Sequence, residues 1–281
     1  MKLSVISKIT LEGREFLVKR DDLIDPYLAG NKYRKLYTLL NTPAQDLKKI
    51  ISYGGTQSNA MLAIAAMCKE KAWEFVYYTK PLASSMKENP EGNYAVALSL
   101  GMTHKEVSYE LYREFIASLS ILNEEGSFVL HQGGADESAS LGLEVLASEI
   151  RAQKPDVKAL ATPSGTGTTA LYLAKHLPEY IVYTIACVGD STYLKEQMLS
   201  LGKIPSNLVI LEPEKKYRFA KPYEEFLEIY LRLKEAGIEF DLLYAPLMWR
   251  TLLSSTEGKL LYIHSGGVTG NKSMLSRYKN K

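Results

Sequence analysis

Cysteine is scarce: Cys68 and Cys187 are the only two in 281 residues. Each sits in an apolar run, and their spacing fits neither a disulfide framework nor a metal-ligand motif. They are expected to be buried free thiols in a reducing compartment, and no metal site is expected. One-sided charge is lacking too. Thirty-four Lys and Arg face 32 Asp and Glu, a net charge of +2, and the basic residues are scattered, which argues against a nucleic-acid partner. No apolar run approaches the ~20 residues that cross a bilayer. Residues 1–10 alternate apolar and polar side chains without the apolar core of a leader. A cytoplasmic protein without a membrane partner is the expectation. Repeats, low-complexity tracts and linker-like stretches are absent. What is present is ordinary globular material, 46% hydrophobic and 23% charged, which excludes a disordered chain.

Strand-like runs at 50–53, 75–78, 103–107, 128–130, 159–162, 181–188, 208–211 and 260–264 alternate with amphipathic stretches. Helices are expected over 57–69, 94–100, 110–122 and 141–151, with another continuing over 171–176. This alternation predicts an α/β protein with mostly parallel sheets. Two strand–helix sets stand out, roughly 45–140 and 150–281, and the first forty-odd residues belong to neither alone. A cleft between two such lobes is a common ligand site.

Four segments carry candidate chemistry. In Ala29-Gly30-Asn31-Lys32-Tyr33-Arg34, the helical spacing of Tyr33, Leu36, Tyr37 and Leu40 predicts a helix beginning near Lys32, with Gly30-Asn31 as its lead-in turn. A lysine there meets the unfavourable end of the helix dipole, and that field, helped by burial, lowers its pKa and makes the amine a nucleophile. A solvated basic helix face fits the same residues. Ser52-Tyr53-Gly54-Gly55-Thr56-Gln57-Ser58-Asn59 runs from a strand through two glycines into a helix. Its backbone N–H groups and polar side chains could cradle a carboxylate or a phenolic oxygen. A plain N-cap by Thr56 or Ser58 accounts for the turn equally well.

Thr162-Pro163-Ser164-Gly165-Thr166-Gly167-Thr168-Thr169 also joins a strand to a helix. Its hydroxyls, glycines and helix N-terminus suit a phosphate. The Gly-Lys-Ser/Thr of a nucleotide P-loop is missing, and so is the Gly-x-Gly-x-x-Gly dinucleotide pattern, since residue 170 is Ala. A small phosphomonoester fits neutral donors better. In His264-Ser265-Gly266-Gly267, a hydroxyl at a strand end followed by two glycines lets a flat ring approach the backbone. A simple strand-ending turn reads the same way.

Taken in order, together with Val18-Lys19-Arg20-Asp21-Asp22-Leu23, these motifs resemble the D-cysteine desulfhydrase and 1-aminocyclopropane-1-carboxylate deaminase family. That family belongs to the tryptophan synthase β-like, fold type II enzymes that use pyridoxal 5′-phosphate. The resemblance covers nearly the whole chain. It implies two α/β domains with the cofactor between them, a smaller one over 45–140 and a larger, cofactor-binding one from 1–44 plus 141–281. It further implies a small amino-acid substrate and a homodimer.

Carried over by residue, the resemblance makes Lys32 the lysine that holds the cofactor as a Schiff base and then shuttles protons. Asn59 would meet the phenolic oxygen, and Ser58 with Gln57 would face the substrate carboxylate. Ser164, Gly165, Thr166, Gly167 and Thr168 would hold the phosphate, and Ser265 the pyridine nitrogen. A neutral hydroxyl at that nitrogen suits β-elimination. Tyr217 and Tyr244 align with the family's two active-site tyrosine regions. The implied activity is D-cysteine desulfhydration to pyruvate, ammonia and hydrogen sulfide, with cyclopropane-amino-acid deamination or cofactor binding with little catalysis as alternatives. The sequence departs from the family at Ala60, where His is usual, and at Phe219-Ala220-Lys221-Pro222 after the first tyrosine. It departs again at Ala245-Pro246-Leu247, where Thr-Gly-Lys or Glu-Gly-Lys is usual, and the deaminase pattern needs that Glu.

Overall fold

The computed structural model describes residues 2–119, 121, 125–131 and 138–279. Its strands form two sheets. The first is built from β3 (Lys49–Tyr53), β4 (Glu74–Thr79), β5 (Met102–Glu106) and β6 (Ser127–Val129), in the order β5-β4-β3-β6 and parallel throughout. The second takes β1 (Ile6–Leu11), β2 (Arg14–Lys19), β7 (Ala159–Ala161), β8 (Ile181–Ile185), β9 (Leu208–Leu211) and β10 (Leu261–Ile263), in the order β1-β2-β10-β7-β8-β9. All of its pairs are parallel except β1 with β2.

That hairpin is absent from the strands expected above. Leu11 pairs with Arg14 across a two-residue turn, and both Glu12 (φ 53°) and Gly13 (φ 74°) take the left-handed backbone that closes a twisted hairpin. The alternation in residues 1–10 is therefore partly strand periodicity. Phe16 and Val18 of β2 are fully buried, as a strand flanked on both sides requires.

Several boundaries shift. The chain bonds as a helix from Gly30 itself, so Gly30-Asn31 forms the first turn of α1 (Gly30–Lys35) and α2 (Tyr37–Asn41) follows a break at Leu36. The strand expected over 181–188 stops at Ile185. Beyond it only Ala186 bridges back, to Ser164, before the chain turns so that Asp190 caps α9 (Ser191–Leu199). The helix expected over 110–122 is α6 (Tyr112–Leu119), and its expected end at Leu122 lies outside the described residues.

α3 (Asn59–Lys71) buries Ala60, Met61, Leu62, Ala63, Ile64, Ala65, Met67 and Cys68, so it is covered nearly all round. The sides of the larger sheet are closed by α7 (Ala139–Gln153), α8 (Thr168–His176), α10 (Glu224–Glu235) and α11 (Ala245–Ser255), whose apolar residues pack into its two clusters. Ile24, Leu28, Tyr33, Leu36 and Leu39 pack instead with Ile50, Met61 and Phe75 beside the smaller sheet. The segment bearing Lys32 therefore crosses between the two sheets. Both thiols are free and buried.

A buried ion network fixes this crossing. The Arg34 guanidinium, wholly inaccessible, donates to Asp21 at 2.8 and 2.9 Å and to Glu149 of α7 at 2.6 and 2.9 Å. Lys19 donates to the same Glu149 at 2.9 Å. Burial opposes charge on Glu149, but Arg34 and Lys19 outweigh it and hold its carboxyl below the usual range.

Candidate active site

The Lys32 turn and the His264-Ser265-Gly266-Gly267 turn are joined through their backbones. The Asn31 N–H donates to the Ser265 carbonyl at 3.3 Å, and a Cβ on Gly30 (φ 61°) would overlap that carbonyl. Only glycine allows this approach at this backbone angle. His264 holds the second turn. It stacks on Phe240 with ring centroids 4.5 Å apart, accepts from the Gly266 N–H at Nδ1 (3.1 Å), and reaches the Glu239 carbonyl through Nε2 (3.0 Å). These partners assign the proton to Nε2. Burial keeps the ring below its ordinary pKa and hence neutral. Gly30→Ala is accordingly expected to destabilise the apoprotein by more than about 1 kcal/mol, through strain and collision together. An unchanged melting temperature of the apoprotein would show that the two turns part at no cost.

Lys32 is half-buried as a whole, and burial of its amine lowers the pKa from the ordinary value to about 8, against the opposing pull of Asp241. The cause differs from the helix field expected above. α1 has six residues and places Lys32 among its last-turn cations, so desolvation does the work.

Asn59 opens α3 opposite this turn. Its Oδ1 accepts from Asn93 Nδ2 at 2.9 Å, which leaves its own Nδ2 as a donor pressed against Gly267. The orientation of Asn93 is settled in turn by the Gln57 carbonyl, which accepts from Nδ2 (3.1 Å), and by Thr269, which donates to its Oδ1 (3.1 Å). Asn93 is fully buried at the start of α5 (Gly92–Ser99) and is not among the residues expected above. Its sequence signal is a second Gly-Asn pair opening a helix, with Gly92 at φ 60° much as Gly30 is. Gln57 spends both ends of its amide on the same region, accepting from the Asn93 N–H (3.1 Å) and donating to the Glu91 carbonyl (3.2 Å). Ser58 is the N-cap of α3 and accepts from the Met61 N–H at 3.3 Å. As the structure stands, Gln57 and Ser58 are structural anchors as well as members of the site's rim.

In the hydroxyl-rich loop the residues divide. Ser164 is buried, and its hydroxyl is hydrogen-bonded to Thr184 at 2.7 Å, while Thr184 donates to the Thr162 carbonyl. Its side chain thus braces the loop from below. Gly165 and Thr166 are the accessible part, Thr166 and Thr168 share a hydrogen bond of 3.0 Å, and Gly167 caps α8. Among the described residues, the buried Thr169 hydroxyl in the first turn of α8 has no hydrogen-bond partner.

The two tyrosines also separate. Tyr244 lies over the loop, with its ring edge and hydroxyl 3.4–3.6 Å from where a Gly165 Cβ would stand, and Phe219 packs beside it at 5.2 Å. Tyr217 belongs to an aromatic cluster with Tyr223 and Phe226, and its hydroxyl donates to Glu225 at 3.3 Å. The Lys32 and Ser265 turns are bonded to each other and Asn59 touches Gly267, while the hydroxyl-rich loop under Tyr244 follows β7, the neighbour of the β10 strand that leads to Ser265.

A family model described as pyridoxal-phosphate dependent enzyme matches residues 3–192 of the chain. The protein belongs to that family. This pyridoxal-phosphate-dependent enzyme is 26% identical over 288 residues to the D-cysteine desulfhydrase of Yersinia enterocolitica, across 91% of this chain and 87% of that protein. It is 25% identical over 295 residues to the mitochondrial bifunctional D-cysteine desulfhydrase/1-aminocyclopropane-1-carboxylate deaminase of Arabidopsis thaliana, across 92% of this chain and 73% of that protein. A crystal structure described as an ACC deaminase homologue superposes with a TM-score of 0.77 at 23% identity, covering 99% of this chain and 94% of its own. The fold is that of the fold type II enzymes, and the cofactor is pyridoxal 5′-phosphate.

The residues fit that group. A lysine with a depressed pKa follows Gly30, whose backbone is packed against the Ser265-Gly266 turn. A directed amide donor stands at Asn59, and the neutral loop carries an unpartnered hydroxyl, among the described residues, at the N-terminus of a nine-residue helix.

Proposed function

We propose that the enzyme is a lyase acting on a small amino acid, most like D-cysteine, which it converts with water to pyruvate, ammonia and hydrogen sulfide. The observation that carries this reading is the Lys32 amine, held by burial at a pKa of about 8, on the turn bonded to Ser265. Lys32 would carry the cofactor, with Asn59 at its phenolic oxygen, Ser265 at its ring nitrogen and residues 165–168 with Thr169 around its phosphate. Ser164 would support that loop through Thr184. Bound there, pyridoxal phosphate supplies an electron-withdrawing ring that stabilises negative charge at the substrate α-carbon. Lys32 would take the α-proton, an amine near neutrality being suited to accept it. Ser58 and Gln57 would receive the carboxylate at the head of α3, and Tyr244 would face the β-carbon across Gly165. Tyr217 enters only by moving off Glu225.

The β-substituent is proposed as a thiol because Ala245-Pro246-Leu247 puts no carboxylate or cation after Tyr244. Ring-opening deamination is the second reading, favoured by the intact Tyr244 beside the loop. We place the cofactor between a smaller lobe of residues 45–140 and a larger one of 1–44 plus 141–281, in a cytoplasmic homodimer. Among the described residues no helix is long and apolar enough to cross a membrane.

The test is a spectral titration of the cofactor-loaded protein with D- and L-cysteine, D-serine, β-chloroalanine and the cyclopropane amino acid, followed by a keto-acid assay. Pyruvate with sulfide from D-cysteine is the expected result. 2-Oxobutyrate from the cyclopropane substrate alone would replace it with the second reading, and no keto acid from any of them would overturn both.

A further inference from the structure

Asn59 and Ser265, the two side chains proposed to meet the cofactor ring, belong to segments far apart in the chain. The Asn93 side chain links those segments. It is wholly buried, and both of its polar ends are engaged by other elements. Nδ2 donates to the Gln57 carbonyl at 3.1 Å and to Asn59 Oδ1 at 2.9 Å, both at the head of α3. Oδ1 accepts from the Thr269 hydroxyl at 3.1 Å. Thr269 lies in the 3₁₀ turn Val268–Gly270, which continues directly from the Ser265-Gly266-Gly267 turn. Gly92 lets α5 come this close, because at φ 60° it leaves the Gln57 side-chain oxygen where a Cβ would stand.

The sense of each amide is fixed from outside. A backbone carbonyl only accepts, so Asn93 presents Nδ2 to Gln57, and the second hydrogen of that nitrogen meets Asn59. Asn59 must answer with Oδ1, which lies on the Gly270 side, and its own Nδ2 turns against Gly267. The Gln57 carbonyl thus decides, through two side-chain amides, that Asn59 offers a donor to the site. Without Asn93 the two ends of the Asn59 amide, alike in shape, could exchange places.

We propose that Asn93 is a positioning residue: it sets which end of the Asn59 amide meets the cofactor, and through Thr269 it keeps that amide in register with the Ser265 turn. This assignment rests on Asn59 being the partner of the phenolic oxygen. Asn93→Asp exposes the device. It keeps the shape of the side chain and the acceptor for Thr269, but puts an acceptor where Asn59 met a donor. Asn59 then turns its Nδ2 toward the new carboxylate and leaves Oδ1 facing the phenolic oxygen, acceptor against acceptor. A packing role alone would weaken every occupant of the site alike.

The test is equilibrium binding of two ligands to the cofactor-free, full-length protein. Pyridoxine 5′-phosphate keeps the phenolic oxygen and 3-deoxypyridoxine 5′-phosphate lacks it. Neither carries an aldehyde, so the chemistry of Lys32 is not read. Their affinity ratio, taken on one protein, cancels any general loosening of the fold. The wild type should favour the first ligand roughly tenfold, and the ratio should fall to about one in Asn59→Ala and to one or below in Asn93→Asp. Adding Asn93→Asp to Asn59→Ala should change the ratio no further, since both act through one hydrogen bond. Thr269→Val, close to isosteric, removes only the donor to Asn93 and should lower the ratio roughly threefold. A ratio that falls in Asn59→Ala but stays at the wild-type value in Asn93→Asp overturns the positioning role alone. Should Asn93→Asp not fold, an unmoved ratio in Thr269→Val does the same. A ratio untouched by Asn59→Ala overturns the reading of Asn59 at the phenolic oxygen, and the role of Asn93 with it.

Discussion

Lys32→Ala is expected to slow keto-acid release by on the order of 10²–10⁴-fold from loss of the proton acceptor alone, and to lose the covalent pyridoxyl label after borohydride reduction. The label distinguishes Lys32 from Lys35, three residues on. Both lie on α1, but Lys35 is buried at 6% exposure, whereas Lys32 is half-buried on the turn bonded to Ser265. A reduced adduct recovered on the Lys35 peptide would overturn the assignment. The pH dependence has a definite sign. Because the folded protein holds the Lys32 amine at about 8, its neutral fraction grows as pH rises through 8. Cofactor uptake by the apoprotein should therefore speed up between pH 7 and 9 and then level off. Over pH 8 to 10.5 the unfolded chain binds this proton and the folded chain does not, so the burden of burying Lys32 eases and apoprotein stability rises with pH in that window.

Arg34→Ala is the second large effect. It strips both Asp21 and Glu149 of a fully buried guanidinium, leaving Asp21 with the Ser4 hydroxyl and Glu149 with Lys19. Uncompensated buried charge of this kind costs about 3–5 kcal/mol. Against a typical total of roughly 5–15 kcal/mol, that threatens the fold itself. Urea denaturation of the apoprotein measures it. A loss below about 1 kcal/mol would mean that water enters and resolvates the carboxylates. Arg34→Lys should recover only part of the loss, since an ammonium cannot reproduce the forked contacts to two carboxylates.

The two sheets are legible in the sequence because parallel, doubly covered strands read as short apolar runs. Lys49–Tyr53, Glu74–Thr79 and Leu208–Leu211 fall where those runs lie. The hairpin Ile6–Lys19 escapes such a reading although residues 1–10 alternate, because its Glu12-Gly13 turn has only one residue of typical turn chemistry. α10 is absent from the expected helices although Phe226, Ile229, Tyr230 and Leu233 stand at helical spacing, so its signal is in the chain. In the site, Lys32, Asn59 and the loop are marked by their glycine contexts. Asn93 also follows a glycine, Gly92, but its work is to orient Asn59 and Gln57, and that depends on elements more than 30 residues away in the chain. Ser164 shows the converse. Its type and place in the motif suit a phosphate, yet the bridge to Ala186 turns it toward Thr184.

The order of strands in the larger sheet bears on how the chain is made. β2 lies next to β10, with Leu17 opposite Leu261, so the centre of that sheet cannot close until the last strand has left the ribosome. The smaller sheet has all four of its strands between residues 49 and 129 and can form while synthesis continues. Pairings of such long sequence separation are slow to form and leave apolar strand faces exposed meanwhile. During that interval Phe16 and Val18 of the β1–β2 hairpin lack the β10 strand beside which they are buried in the finished sheet.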